Sequence, residues 1–268
     1  MTTMTHLSAF VRRDFAVAQS YRLQFALESA GALIQLAMFY FLGRVVDDAR
    51  PDIAGVDQGY FAFVVFGLAL LTWLATALTS FSSTLRSEQV TGSLEALLAT
   101  PPSPAILIIG TSAYSFIRST ILAVLYILFA VVVFGLRFST HPAAIVTALF
   151  ALFASLVLFS ALGVILAAMT LIFKQTSALV GLATSGLALL GGVYFPLTVL
   201  PTPVRFLAEL LPFTWALDVL RSALLRGDID WVRIVELGVS TLVLMPVALW
   251  TLEKALQYAR GAGSLGQY

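Results

Sequence analysis

Residues 121–136 read ILAVLYILFAVVVFGL, a run with no charge and no alternation of apolar and polar positions. Strands of a membrane barrel switch face at every second residue, and this run does not. A helix crosses about 30 Å of hydrocarbon with ~20 mostly apolar residues. Only helices and closed barrels satisfy their backbone polar groups in lipid. The run therefore reads as part of a spanning helix.

Working outward, the same rule predicts six spans, over residues 25–46, 60–85, 105–136, 143–173, 176–194 and 231–256. The third and fourth exceed the minimum length, so they tilt or project from the bilayer. Composition agrees. Of 268 residues, 60% are hydrophobic and 11% charged, against about 25% charged in soluble domains. A soluble globule this apolar could not cover its own surface, and disorder requires low hydrophobicity. The expected fold is an all-α polytopic membrane protein forming one domain over 1–268, with no internal repeat and no separate soluble unit.

A net charge of +1 supplies no basic field for nucleic acid. Cysteine is absent and only His6 and His141 occur, which leaves no disulfide framework, thiolate nucleophile or metal-ligand cluster. Arg12, Arg13, Asp14 and Arg22 interrupt the N-terminal region before the first long apolar run, so it does not read as a cleaved signal. Leu7, Phe10, Val11, Phe15, Ala18, Tyr21 and Phe25 instead share a helical stripe. They predict an interfacial amphipathic helix over 7–24, with a solvated lead-in helix as the alternative. Lys and Arg divide equally between the two sides, and the arginines around the first span lean toward a cytoplasmic N-terminus. With six spans, both termini are then expected in the cytoplasm.

Between the second and third spans lies SEQVTGSLEALLATPPSP, residues 87–104. Val90, Leu94, Leu97 and Leu98 form one apolar helical face, while Glu88 and Glu95 align on another. Ser87 can cap the start; Pro101 and Pro102 end it. Gly92 costs about 1 kcal/mol of helix stability relative to Ala, a cost compatible with close approach of another surface. A solvated loop helix is the alternative reading of 87–100.

This pattern resembles the coupling helix of permease subunits of ATP-binding-cassette type-2 transporters: Glu, three residues, Gly, Ser or Thr, Leu, Glu, one residue, Leu, then Pro. Glu88, Gly92, Ser93, Leu94, Glu95, Leu97 and Pro101 match it in order, with Ser93 where threonine is commoner. The resemblance implies a helix seated in a groove of an ATPase subunit.

A second stretch, GGVYFPLTVLPTPVRFLAELLPFTWALDVLRSALL over 191–225, carries Pro196, Pro201, Pro203 and Pro212. Four prolines exclude one continuous span. Residues 204–211 and 214–225 remain apolar enough for short helices, so 196–225 reads as a re-entrant hairpin or as a loop at the headgroups. Asp218 and Arg221 are spaced to pair on one helical face. The order Gly192, Phe195, Pro196, Leu200, Pro201, Pro212, Thr214, Asp218, Arg221 resembles the C-terminal signature of the same family. The resemblance implies a gate closing the outer end of the path.

Within the spans, Glu28, Gln35 and Arg118 are the polar outliers. A charge at the centre of a span costs at least about 2.5–3.5 kcal/mol. Arg118 either faces the bundle, paired with Glu28 or with cargo, or snorkels to the interface. Gly181, Ser185, Ala188 and Gly192 form small-residue pairs suited to close helix packing or to lining a path. Phe39, Tyr40, Phe41, Phe61, Phe63, Phe66 and Trp73 suit either greasy cargo or lipid.

No Gly-x-x-x-x-Gly-Lys-Ser/Thr phosphate loop occurs. The resemblance implies an exporter in which this chain, as a homodimer, binds no cofactor of its own. ATP and Mg then sit on two copies of a separate ATPase subunit. Its implied cargo is a drug, lipid or lipid-linked polysaccharide such as O-antigen or teichoic acid, and its implied place is the bacterial plasma membrane. Two rivals stand. An ion-driven carrier needs more intramembrane ionisable residues than Glu28 and Arg118. An intramembrane enzyme needs a nucleophile–base arrangement that neither histidine provides, and no catalytic residue is assigned.

Overall fold

The computed structural model describes residues 22–49, 59–90, 104–173 and 176–261, with backbone alone at 22, 24, 84–90, 104–113, 171–173, 176–177 and 259–261. The elements are α1 (Arg22–Ala49), α2 (Gly59–Val90), α3 (Pro104–Phe134), α4 (Pro142–Phe173) and α5 (Thr176–Leu190). After a 3-10 turn at Leu197–Val199 come α6 (Thr202–Glu209), α7 (Pro212–Arg221), a π turn at Ser222–Arg226 and α8 (Trp231–Gly261). Among the described residues there is no strand. The all-helical expectation holds.

Among the described residues, five of the six expected spans (α1, α2, α3, α4 and α8) meet the length and apolarity of a crossing helix, and the other is a shorter apolar helix. The segment expected as a span over 176–194 forms a helix of 15 residues, about 22 Å at 1.5 Å per residue. It stops because Gly192 takes a left-handed φ of +73°. There the Val193 amide folds back to donate to the Ala188 carbonyl at 3.3 Å, a helix stop that a side chain would strain. The amphipathic stretch over 7–24 lies outside the described residues apart from its last turn.

α2 is the central post, with 78% of its apolar window buried against 11% for α1. Its first half is apolar on nearly all sides, as a buried membrane helix tends to be, and the helix touches α1, α3, α4, α5 and α7. α1 exposes Leu27, Ile34, Met38, Phe41 and Val45. These share one helical face, which lipid accommodates and water would not. α4 and α8 lie side by side in the same direction, where the Thr241 hydroxyl approaches the Ala154 carbonyl at 3.4 Å.

Most of the aromatic candidates pack inside the chain. Phe61, Phe63, Phe66 and Trp73 are buried, and Tyr40 stacks on Phe134 at 4.1 Å. Phe41 points outward. The small residues of α5 divide too: Ala188 is buried, whereas a side chain added at Gly181 or Gly186 meets nothing within 4 Å.

The helix directions define two ends. Arg22, Val90, Pro104, Phe173 and Gly261 lie at one; Ala49, Gly59, Phe134, Pro142 and Trp231 lie at the other.

Candidate functional site

At the second end the proline-rich region folds into two short helices crossed by hydrogen bonds. Prolines occupy the first turns of α6 and α7, where a missing N–H costs nothing. The Thr214 hydroxyl donates to the Ala208 carbonyl at 2.8 Å, and the Trp215 indole N–H to the Glu209 carbonyl at 2.7 Å. α7 is buried against α2, α4 and α8. Its Phe213 ring lies 5.5 Å from Phe159, about 25 Å along α4 from Pro142 at ~1.5 Å per residue. The Leu224 carbonyl, just beyond α7, accepts from the Ser139 amide, ahead of α4. α7 thus runs from mid-bundle outward to the second end.

Arg221 is the key to this end. Its guanidinium is buried and donates to the Phe63 carbonyl through Nε at 3.1 Å and Nη2 at 2.8 Å, and to Gly192 O through Nη1 at 2.9 Å. Nη2 also reaches Val193 O at 3.4 Å. The charge caps the carbonyl end of α5, where the helix dipole favours a cation, and it lies 3.5 Å from the centroid of the Phe63 ring. Asp218, expected as its partner, makes its contact ion pair with Arg233 of α8 at 3.7 Å, while its charge still acts on Arg221 from beyond contact distance. Main-chain oxygens at the broken end of α5 outcompete a carboxylate one turn away on the same helix.

Gly67 makes this packing possible. A Cβ there would stand 2.8 Å from the Val193 carbonyl and 3.0 Å from Arg221 Nη2. Tyr60 donates its hydroxyl to the Tyr194 carbonyl at 2.7 Å and tethers the turn to α2. Gly192 sits in the turn, while Phe195, Pro196 and Pro201 link it to α6. The sequence reading missed Gly67 and Arg233, and it named Phe63 only as an aromatic suited to cargo or lipid. A lone glycine in an otherwise bulky apolar helix was the available signal.

At the first end, Glu28 of α1 and Arg118 of α3 form an ion pair, with the guanidinium 5.9 Å from the Phe25 ring centroid. The pair borders an open pocket of roughly 230 Å³, lined by Thr76, Thr79, Ser80 and Ser83 of α2 and by Ser115 and Ser119 of α3. These hydroxyls were also missed. Their signal is the recurrence of Ser and Thr at helical spacing on α2. Gln35, in contrast, has a partner within the chain: its side-chain carbonyl accepts from the Tyr126 hydroxyl at 3.0 Å.

Of the coupling segment over 87–100, the backbone to Val90 is helical, so Glu88 continues α2. Gly92, Ser93, Leu94, Glu95 and Leu97 lie outside the described residues. No group of three or more His, Cys, Asp or Glu able to hold a metal occurs among the described residues.

Residues 5–225 match the family model described as ABC-2 type transporter. The chain belongs to this family and is a permease subunit of it. It resembles the inner membrane transport permease YadH of Escherichia coli and of Shigella flexneri. The identity is 25% over 227 residues, covering 84% of this chain and 85% of those proteins. The chain is a multi-pass inner membrane protein and a subunit of a membrane transporter, and membership implies association with an ATPase subunit.

Proposed function

We propose that the chain is the membrane half of an ATP-driven exporter moving a hydrophobic drug, lipid or lipid-linked substrate out of the cytoplasm or inner leaflet. The observation that carries this reading is the placement of the two motif regions along α2. Glu88 lies at its last turn, and the carbonyl of Phe63, held by Arg221, at its second. They are about 37 Å apart at 1.5 Å per residue. A buried helix this long transmits a displacement at one end to the other, provided the bundle has two packed states.

In this mechanism two copies of the chain bind two ATPase subunits, which hold ATP and Mg. The chain itself binds no cofactor and catalyses nothing. ATP binding draws the ATPases together and pushes on the segment 87–100, where Glu88 and Glu95 make the polar contacts and Leu94 and Leu97 the apolar ones. Gly92 and Ser93 allow close seating. The helices α6 and α7 act as a re-entrant gate, a reading supported by the mid-depth contact of Phe213 with Phe159. The face of α5 carrying Gly181 and Ser185 is exposed, which suits a second copy packing there. Both termini then lie in the cytoplasm, with the interfacial helix over 7–24 on the inner leaflet.

The test is Glu95→Lys in the assembled complex. Membrane insertion and basal ATP hydrolysis are expected to persist while transport falls at least about tenfold. Undiminished transport, or solute carried by the permease alone in sealed vesicles, overturns the reading.

A further inference from the structure

The pocket at the first end has a chemistry of its own. Thr76, Thr79, Ser83 and Ser119 each spend their hydroxyl hydrogen on a carbonyl of their own helix, at 2.8, 2.7, 3.1 and 3.0 Å. Their lone pairs remain as acceptors facing the pocket. Ser80 lines the same pocket, is more than nine-tenths buried, and its Oγ has no hydrogen-bond partner. A buried hydroxyl without a partner costs free energy, and a ligand atom would relieve that cost. The wall is thus rich in acceptors, with the Glu28 carboxylate the strongest and the Arg118 guanidinium the charged donor.

Size and surroundings narrow the occupant further. About 230 Å³ is below the ~300–1,000 Å³ of pockets that enclose a drug-sized ligand. α1 and α3 are the more exposed walls, burying 11% and 22% of their apolar windows. A molecule with its polar head in the pocket keeps its apolar body in lipid.

We infer that this pocket binds the zwitterionic headgroup of an aminophospholipid, the phosphate on Arg118 and the primary ammonium on Glu28 and the hydroxyls of Thr76 and Ser80. An anionic headgroup finds Arg118 already neutralised by Glu28, and a neutral one uses neither charge. A primary ammonium supplies three donors to a wall of acceptors. Binding splits the Glu28–Arg118 pair and replaces it with two pairs to the lipid. This inference deepens the export reading and rests on it for the role of the lipid as cargo.

The test uses the permease purified with its ATPase subunit in detergent, titrated with phosphatidylethanolamine, phosphatidylglycerol and diacylglycerol of the same acyl chains, with retention read by native mass spectrometry. Wild type is expected to hold phosphatidylethanolamine about tenfold more tightly than the other two. Glu28→Gln is expected to erase that preference, and Ser80→Ala to reduce it about threefold. Equal retention of the three lipids by wild type overturns the inference. So does an undiminished preference in Glu28→Gln or, should that variant fold poorly, in Ser80→Ala. Preferential binding without ATP-driven lipid transfer in vesicles supports the site and overturns the export of this lipid. Lost preference with hydrolysis and transport still coupled overturns the site alone.

Discussion

Two arginines on apolar helices meet the membrane in opposite ways. Arg118 at the first end has a carboxylate partner, Glu28, and borders an open polar pocket. Arg221 at the second end has no carboxylate within ion-pair reach and is sealed among main-chain carbonyls from α2 and the end of α5. The first is an exchangeable contact, because a ligand can supply the same charges. The second works as a rivet, because it ties a carbonyl of the intact α2 to two carbonyls that the broken end of α5 leaves without amides. Ion pairing is therefore the weaker anchor of the two, and removing each cation is the direct way to measure the difference.

Arg221→Leu is expected to have the largest effect. It strands the buried carbonyl groups of Gly192 and Val193, each costing about 1–3 kcal/mol when left unmade, and removes the bond across to Phe63 of α2. A loss of at least ~3 kcal/mol follows, seen as a sharp fall in folded yield and thermal midpoint of the purified complex. Arg221→Lys keeps the charge but not the fork that serves three oxygens, so its stability should lie between the two. Gly67→Ala comes next. Its Cβ would sit 2.8 Å from the Val193 carbonyl and 3.0 Å from the guanidinium, and overpacking of this kind costs about 1–3 kcal/mol. Thermal melting of Gly67→Ala beside an Ala→Gly change on an outward face of α1 separates local crowding from general helix propensity. A melting point equal to wild type would show that the second end is less tightly packed than its distances imply.

The contrast between the two arginines also marks what the sequence could tell. Arg118 and Glu28 were legible as a possible pair because charges inside apolar runs are few and each needs a partner. The spans of α1 to α4 and α8 were legible from length and apolarity alone. The halt of α5 at Leu190 was not, since residues 176–194 carry no charge and the stop depends on Gly192 taking a left-handed conformation. Arg221 was visible, but its partners were misjudged. Helical spacing pointed to Asp218, three residues away, while the competing carbonyls come from residues far off in the chain. Main-chain acceptors carry no side-chain signature, so no pattern in the sequence announces them. The acceptor wall of the pocket was similarly hidden, because Ser and Thr in membrane helices usually serve their own backbone.

Arg118→Leu sharpens the comparison from the other side. The pair is partly exposed, and such pairs contribute about 0–1 kcal/mol. Thermal stability should therefore change little, while ATP-coupled transport of cargo falls several-fold. A stability loss as large as that of Arg221→Leu would erase the distinction between exchangeable contact and rivet. Transport and folding both intact would remove Arg118 from the path altogether.

The smallest expected effect belongs to Asp218→Asn, and it discriminates between two descriptions of the second end. Asp218 and Arg233 are 3.7 Å apart and partly exposed, so the loss should be below about 1 kcal/mol. If Asp218 instead anchored Arg221, the same change would leave a buried cation without its counter-charge and cost about 3–5 kcal/mol. A double-mutant cycle makes the choice independent of any absolute stability. Asp218→Asn combined with Arg233→Gln should show coupling, since they remove the two halves of one contact. Combined with Arg221→Lys, it should show little coupling, because lysine keeps the positive charge that Asp218 feels and the side chain is held by main-chain oxygens rather than by Asp218. Strong coupling to Arg221 would mean that the carbonyl cage is only part of what holds this end closed.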